Sequence, residues 1–124
     1  MASFPNASIV IPTHNNAATL RKVLHGMLRL DYPAGYEVIV VNDGSTDNTK
    51  EMLQKEFSTN KKIKIINFAK NQGVCRARNA GIRLARFQIL VNMDHDCIPE
   101  KRWLKQLLLP FADEASRHIP LHIR

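Results

Sequence analysis

Four short apolar runs, residues 7–11, 36–41, 62–66 and 87–93, each give way within a few polar residues to a stretch of helical period. No other feature constrains the fold of this chain as tightly. Ile9, Val10 and Ile11 in the first run, and Val38, Ile39, Val40 and Val41 in the second, lack the polar alternation of a half-exposed strand. Both faces of these strands are therefore expected to be buried. Leu20, Val23, Leu24, Met27 and Leu28 recur at the spacing of one helix face, and Met52, Leu53 and Phe57 form a second face, with Ser45 or Thr46 the expected cap. Val74, Ala77, Gly81 and Ala85 form a third face. Pro99 opens a fourth helix with Leu104, Leu107, Leu108 and Phe111 inward. The run at 62–66 only half alternates, which predicts a place nearer the sheet edge. A β-α-β-α-β-α-β-α order with short connections calls for an α/β fold: a mostly parallel sheet with right-handed crossovers and helices on both faces.

The chain has 124 residues, 44% of them hydrophobic, which suits one compact domain with a real core. The expected division is a domain over residues 1–111 and an unpatterned tail over 112–124. Pro120 interrupts any helix in that tail, so His118 and His122 are not read as a zinc pair. No apolar run approaches the roughly 20 residues needed to cross a bilayer. The N-terminus has no basic region followed by an apolar core, so no secretory signal is expected. Cys75 and Cys97 lack metal-type spacing, and the setting expected is reduced and cytoplasmic. Net charge is +7, and Lys61, Lys62, Lys64, Lys70, Arg76, Arg78, Arg83 and Arg86 follow one another with no acid among them. Such a stretch suits a phosphorylated substrate or peripheral contact with an anionic membrane. It holds a single aromatic, Phe68, and no stacking series, which argues against nucleic acid.

The glycines, at positions 26, 35, 44, 73 and 81, form neither a dinucleotide-binding fingerprint nor a P-loop, and no serine sits in a nucleophile elbow. Polar residues gather instead where the strands end. The first run ends in Pro12, Thr13, His14 and Asn15, the second in Asn42, Asp43, Gly44 and Ser45, and the fourth in Asp94, His95 and Asp96. In a parallel sheet these ends share one edge, the edge at which open α/β sheets bind ligands. Two carboxylates there are costly unless a cation or a hydrogen-bonding ligand compensates them. Hard oxygen donors suit Mg or Mn bridging to substrate phosphates. Thr13 and His14 are placed to line a base, Asp43 to accept hydrogen bonds from base or ribose, and Arg78, in the helix after Gly73, to balance a pyrophosphate.

With these segments in this order, the chain resembles the family 2 glycosyltransferases of the GT-A fold. The match runs through residues 8–15, 37–47, 71–74, 77–81 and 93–96 with Pro99, and covers roughly residues 7–111. The resemblance implies a nucleotide-diphospho-sugar donor, with uridine the family's commonest base. It also implies inverting transfer to a carbohydrate or lipid-linked acceptor hydroxyl, as in cell-envelope polysaccharide synthesis. Pro12, Thr13, His14, Asn15, Asp43, Gly73, Arg78 and Asp94 would bind the donor, with Asp43 reading the base. Asp96, with Asp94, would hold Mn or Mg.

Three departures stand out. His14 occupies a position that is often aromatic in the family, Asn42 one that is often Asp, and Cys97 one that often carries a further acid. Cys97 is read as a bystander. Only 28 residues follow Asp96, and the family's acceptor half, with its general base, lies downstream of that motif. The catalytic base is therefore left unassigned, and Asp113 and Glu114 fall in the unpatterned tail. The reading is a donor-binding half, with a non-catalytic nucleotide-sugar-binding module as its alternative. A receiver-type phosphotransfer domain fits poorly, because Pro12, Thr13 and His14 stand where it needs an acidic pair. An uncovered apolar face on the last helix would predict self-association.

Overall fold

The computed structural model describes residues 3–112 and 121–123. Its elements are β1 (Ala7–Thr13), α1 (Ala17–Met27), β2 (Tyr36–Asp43), α2 (Thr49–Phe57), β3 (Ile63–Phe68), α3 (Val74–Leu84), β4 (Ile89–Asn92), α4 (Trp103–Leu108), a 3-10 turn (Leu109–Phe111) and β5 (Leu121–Ile123). The strands form one sheet in the order β3-β2-β1-β4-β5, and every neighbouring pair is parallel. This is the α/β architecture that the alternating runs call for.

Side-chain parity divides the core between the two faces. Ile9, Ile11, Val38, Val40, Ile89 and Val91 meet the buried sides of α1, α2 and α4. Val10, Ile39 and Val41 meet Ala77 of α3. β1 and β2 lie inside the sheet and are covered on both faces, so nearly every residue in them is buried. β3 forms an outer edge, which explains its half-alternating pattern. At Gly81 a β-carbon would stand 2.5 Å from Val10 Cγ1, so α3 approaches the sheet more closely than a side chain there would permit.

One buried polar cluster lies at the opening ends of the strands. Ser8 Oγ–H and the Arg86 N–H donate to Glu37 Oε2 at 2.6 and 2.7 Å, and the Phe87 N–H donates to Ser8 Oγ at 3.2 Å. Lys64 Nζ stands 2.8 Å from Glu37 Oε1 as an ion pair. Burial pushes the Glu37 carboxyl upward, but the bonds from Lys64, Ser8 and Arg86 outweigh it and hold the group below the usual range. The cluster ties the chain between α3 and β4 to β1 and β2.

Several local expectations are corrected. Val74 is 54% exposed and does not join the core face of α3. The last helix starts at Trp103, not Pro99. Its Leu104 and Leu108 are fully buried in the main core, so that face is not left uncovered. α2 is capped by neither Ser45 nor Thr46: Asp47 Oδ1 accepts the Thr49 N–H at 3.0 Å. In the segment read as unpatterned, Leu121–Ile123 pairs with β4. Asp113, Glu114, His118 and Pro120 lie outside the described residues.

Candidate functional site

Because β2, β1 and β4 are parallel neighbours, their carboxyl ends stand side by side, and a cleft of about 290 Å³ opens there. Pro12, Thr13 and His14 at the end of β1 supply one wall. Asp43 closes β2 at the back. Asn71, Gly73 and Val74, leading into α3, form the opposite wall, and Asp94 and His95 after β4 complete the rim.

Hydrogen bonds hold these pieces in register. Asp43, only 4% exposed, accepts the Gln72 N–H at 2.7 Å on Oδ1 and the Gly73 N–H at 3.0 Å on Oδ2. Each carboxylate oxygen keeps a further lone pair for a ligand. His14 Nδ1 bonds the Asp43 carbonyl oxygen at 2.8 Å, and its Nε2 lies 3.1 Å from Asn15 Nδ2. Donation from Nδ1 and acceptance at Nε2 satisfies both contacts. Thr13 Oγ1 and His95 Nδ1 are 2.8 Å apart, which links the end of β1 to the turn after β4. At Gly44, φ is +64°, and a β-carbon there would lie 2.3 Å from Asn71 N. The absence of a side chain at this position lets the 70–73 loop close over the end of β2.

After β4 the chain reverses, with the Cys97 N–H directed to the Asp94 carbonyl oxygen at 3.5 Å. His95 is turned toward Thr13, and Asp94, Asp96 and Cys97 each bring a donor atom to within 4.8 Å of the other two. Ligands on one metal are separated by at most twice the bond length, about 4–5 Å for bonds of 2.0–2.6 Å. Two carboxylate oxygens and a sulfur at this spacing fit a single divalent cation.

Of the residues picked out from sequence, Pro12, Thr13, His14, Asp43, Gly73 and Asp94 line the cleft. Asn15, Arg78 and Asp96 do not. Asn15 is a latch between loops. At φ 50° its Oδ1 accepts the Thr46 and Asp47 N–H groups at 2.7 and 3.2 Å, and its own N–H donates to Ser45 Oγ at 3.0 Å. Arg78 is half-buried on α3, and its Nε finds no hydrogen-bond partner among the described residues. Asp96 is exposed at the rim. Sequence reasoning missed Asn71, Val74 and His95. From sequence, Asn71 and His95 are given no role of their own, and Val74 is placed on the core face of α3. Within the basic stretch, Lys64 pairs with Glu37 and Lys62 Nζ sits 4.0 Å over the Tyr36 ring.

The model of Glycosyl transferase family 2 matches residues 8–119. Over 106 residues the chain is 35% identical to Glycosyltransferase AglE of Haloferax volcanii, covering 85% of this chain and 35% of that protein. It is 34% identical over 91 residues to poly-beta-1,6-N-acetyl-D-glucosamine synthase of Staphylococcus epidermidis, covering 73% of this chain and 22% of that one. Among solved structures it is similar to TarS 1-349 of S. aureus in complex with UDP-GlcNAc. That likeness has a TM-score of 0.73 at 27% identity, over 82% of this chain and 30% of that one. The chain thus spans about a third or less of the length of these relatives.

Proposed function

We propose that this chain, which belongs to glycosyl transferase family 2, binds a nucleotide-diphospho-sugar donor in the cleft at the carboxyl edge of its sheet. A uridine diphosphate sugar is the first candidate, since TarS, at 27% identity, is a UDP-GlcNAc complex. The observation that carries the reading is the meeting of Thr13, His14, Asp43 and Asp94 around one opening. Asp43 and the amides it orders would face the nucleoside, with the His14 ring as a flat partner for the base. Arg78, on the helix that follows Gly73, would bring positive charge toward the diphosphate. Asp94 and Asp96 would hold Mn or Mg. When bound, such an ion offsets charge on the nucleoside-diphosphate leaving group.

In the longer relatives this part would work with further chain to pass the sugar, with inversion, to a carbohydrate or lipid-linked acceptor. Such a reaction suits cell-envelope polysaccharide synthesis at the cytoplasmic face of a membrane. No helix among the described residues is long and apolar enough to cross one. A second reading, donor binding without turnover by this chain, is favoured by one observation. Among the described residues, the carboxylates lining the cleft are Asp43 and Asp94. With Asp43 given to the nucleoside and Asp94 to the cation, neither would be left to take a proton from an attacking hydroxyl.

Calorimetric titration of uridine, guanosine and cytidine diphosphates, with and without Mn, tests the proposal. The expected result is Mn-dependent binding with one base preferred, weakened at least about tenfold in Asp96→Asn. Equal, metal-independent binding of all three, unchanged in Asp96→Asn, would refute it.

A further inference from the structure

We infer that Cys97 Sγ is a third protein ligand of the cation held by Asp94 and Asp96, and that it biases the site toward thiophilic metals. The inference rests on the metal reading above and adds a ligand and a selectivity to it. Its basis is the turn after β4. Closing the turn between the Asp94 carbonyl and the Cys97 N–H sets the first and fourth residues side by side. The second residue, His95, is drawn off by its 2.8 Å contact with Thr13. The third, Asp96, remains on the side of Asp94 and Cys97, and the three donor atoms fall within 4.8 Å of one another. Cys97 is a free, exposed thiol, so no packing or disulfide holds it back from a metal.

Donor chemistry then sets the preference. Oxygen-only sites suit Mg and Mn, whereas a thiolate draws zinc and other soft ions.

Cobalt(II) and cadmium(II) serve as probes, because a thiolate ligand gives each a charge-transfer absorption that carboxylates do not. The protein is held reduced and titrated with Co, Cd, Zn, Mn and Mg, with Cys75→Ser as the control for the other exposed thiol. Wild type and Cys75→Ser are expected to show the band at one metal per chain. Cys97→Ser should lose the band, weaken Zn and Cd at least about tenfold, and leave Mg within about twofold. Wild-type protein that binds Mn or Co through Asp96 but shows no thiolate band would overturn the inference while leaving the metal reading intact. A band that persists in Cys97→Ser and disappears in Cys75→Ser would also overturn it. Failure of every metal to bind would overturn both.

Discussion

Two glycines at the cleft both take a positive φ and differ in their surroundings, so replacing each with alanine weighs strain against collision. Gly44 has φ +64°, which costs an L-residue about 1–2 kcal/mol, and Gly73 has φ +98° with ψ 156°, a region that costs about 1–3 kcal/mol. At Gly73 a β-carbon would meet nothing within 4 Å, so Gly73→Ala should cost that strain alone. At Gly44 it would meet Asn71 N at 2.3 Å and the Lys70 carbonyl carbon at 2.4 Å. Both are backbone atoms and cannot rotate aside. The 70–73 loop would have to withdraw by roughly 1 Å to reach ordinary contact, a forced shift of the kind that costs about 1–3 kcal/mol. Gly44→Ala should therefore lose about 2–5 kcal/mol, a large share of the 5–15 kcal/mol that holds a typical domain. The same withdrawal pulls the Gln72 and Gly73 amides off Asp43. Urea unfolding followed by circular dichroism reads the difference as a displaced midpoint at unchanged slope. A loss in Gly44→Ala of no more than about 1–2 kcal/mol, the strain alone, would refute the reasoning, because the contact at Gly44 would then carry no cost.

Further outcomes at three residues follow from the hydrogen-bond pattern. Asn15→Gly keeps the backbone conformation but loses the Oδ1 bonds to Thr46 and Asp47, and should cost about 1–2 kcal/mol. Asn15→Ala should cost more by thermal unfolding, since it adds strain at φ 50°. Because the folded environment lowers the Glu37 carboxyl below its unfolded value, its contribution is fully present above the unfolded value and is lost as pH falls through the folded one. Urea midpoints measured from neutral pH down through the carboxylate range should fall less steeply in Glu37→Gln than in wild type. At neutral pH, Glu37→Ala should lose about 3 kcal/mol by strip-out of the Lys64, Ser8 and Arg86 bonds. Thr13→Val should free the His95 ring and weaken donor binding by calorimetry while leaving the unfolding midpoint nearly unchanged.

Where a property depends on neighbours along the chain, the sequence displays it. The β-branched runs of β1 and β2 are uniformly apolar because both of their faces are covered, and the periods of α1 and α2 match the residues they bury. β3 alternates by half because it lies at an edge. Most of the cleft is visible for the same reason: once the strands are parallel, Thr13, Asp43 and Asp94 must share a rim. What stayed hidden depends on partners distant in sequence. The bonds from the Thr46 and Asp47 N–H groups to Asn15 Oδ1 span about thirty residues and leave no local pattern. Val74 fits the helical period of a core face but lies where α3 overhangs the cleft. His95 gains its place from Thr13, which is 82 residues away. The three-residue β5 carries too short a pattern to announce itself, and only its pairing with β4 defines it.

The central claim is that the ends of β1, β2 and β4 form one site with the cation at the Asp94–Asp96 turn. Paramagnetic Mn(II), added at trace levels to the isotope-labelled chain with a uridine diphosphate sugar, tests this most directly, since it broadens the amide signals nearest to it. Broadening should be strongest at residues 94–97, extend to Thr13, His14, Asp43 and Gly73, and vanish when Asp94 and Asp96 are both changed to Asn. Broadening centred on any other part of the chain, or unaltered in that double variant, would contradict the account.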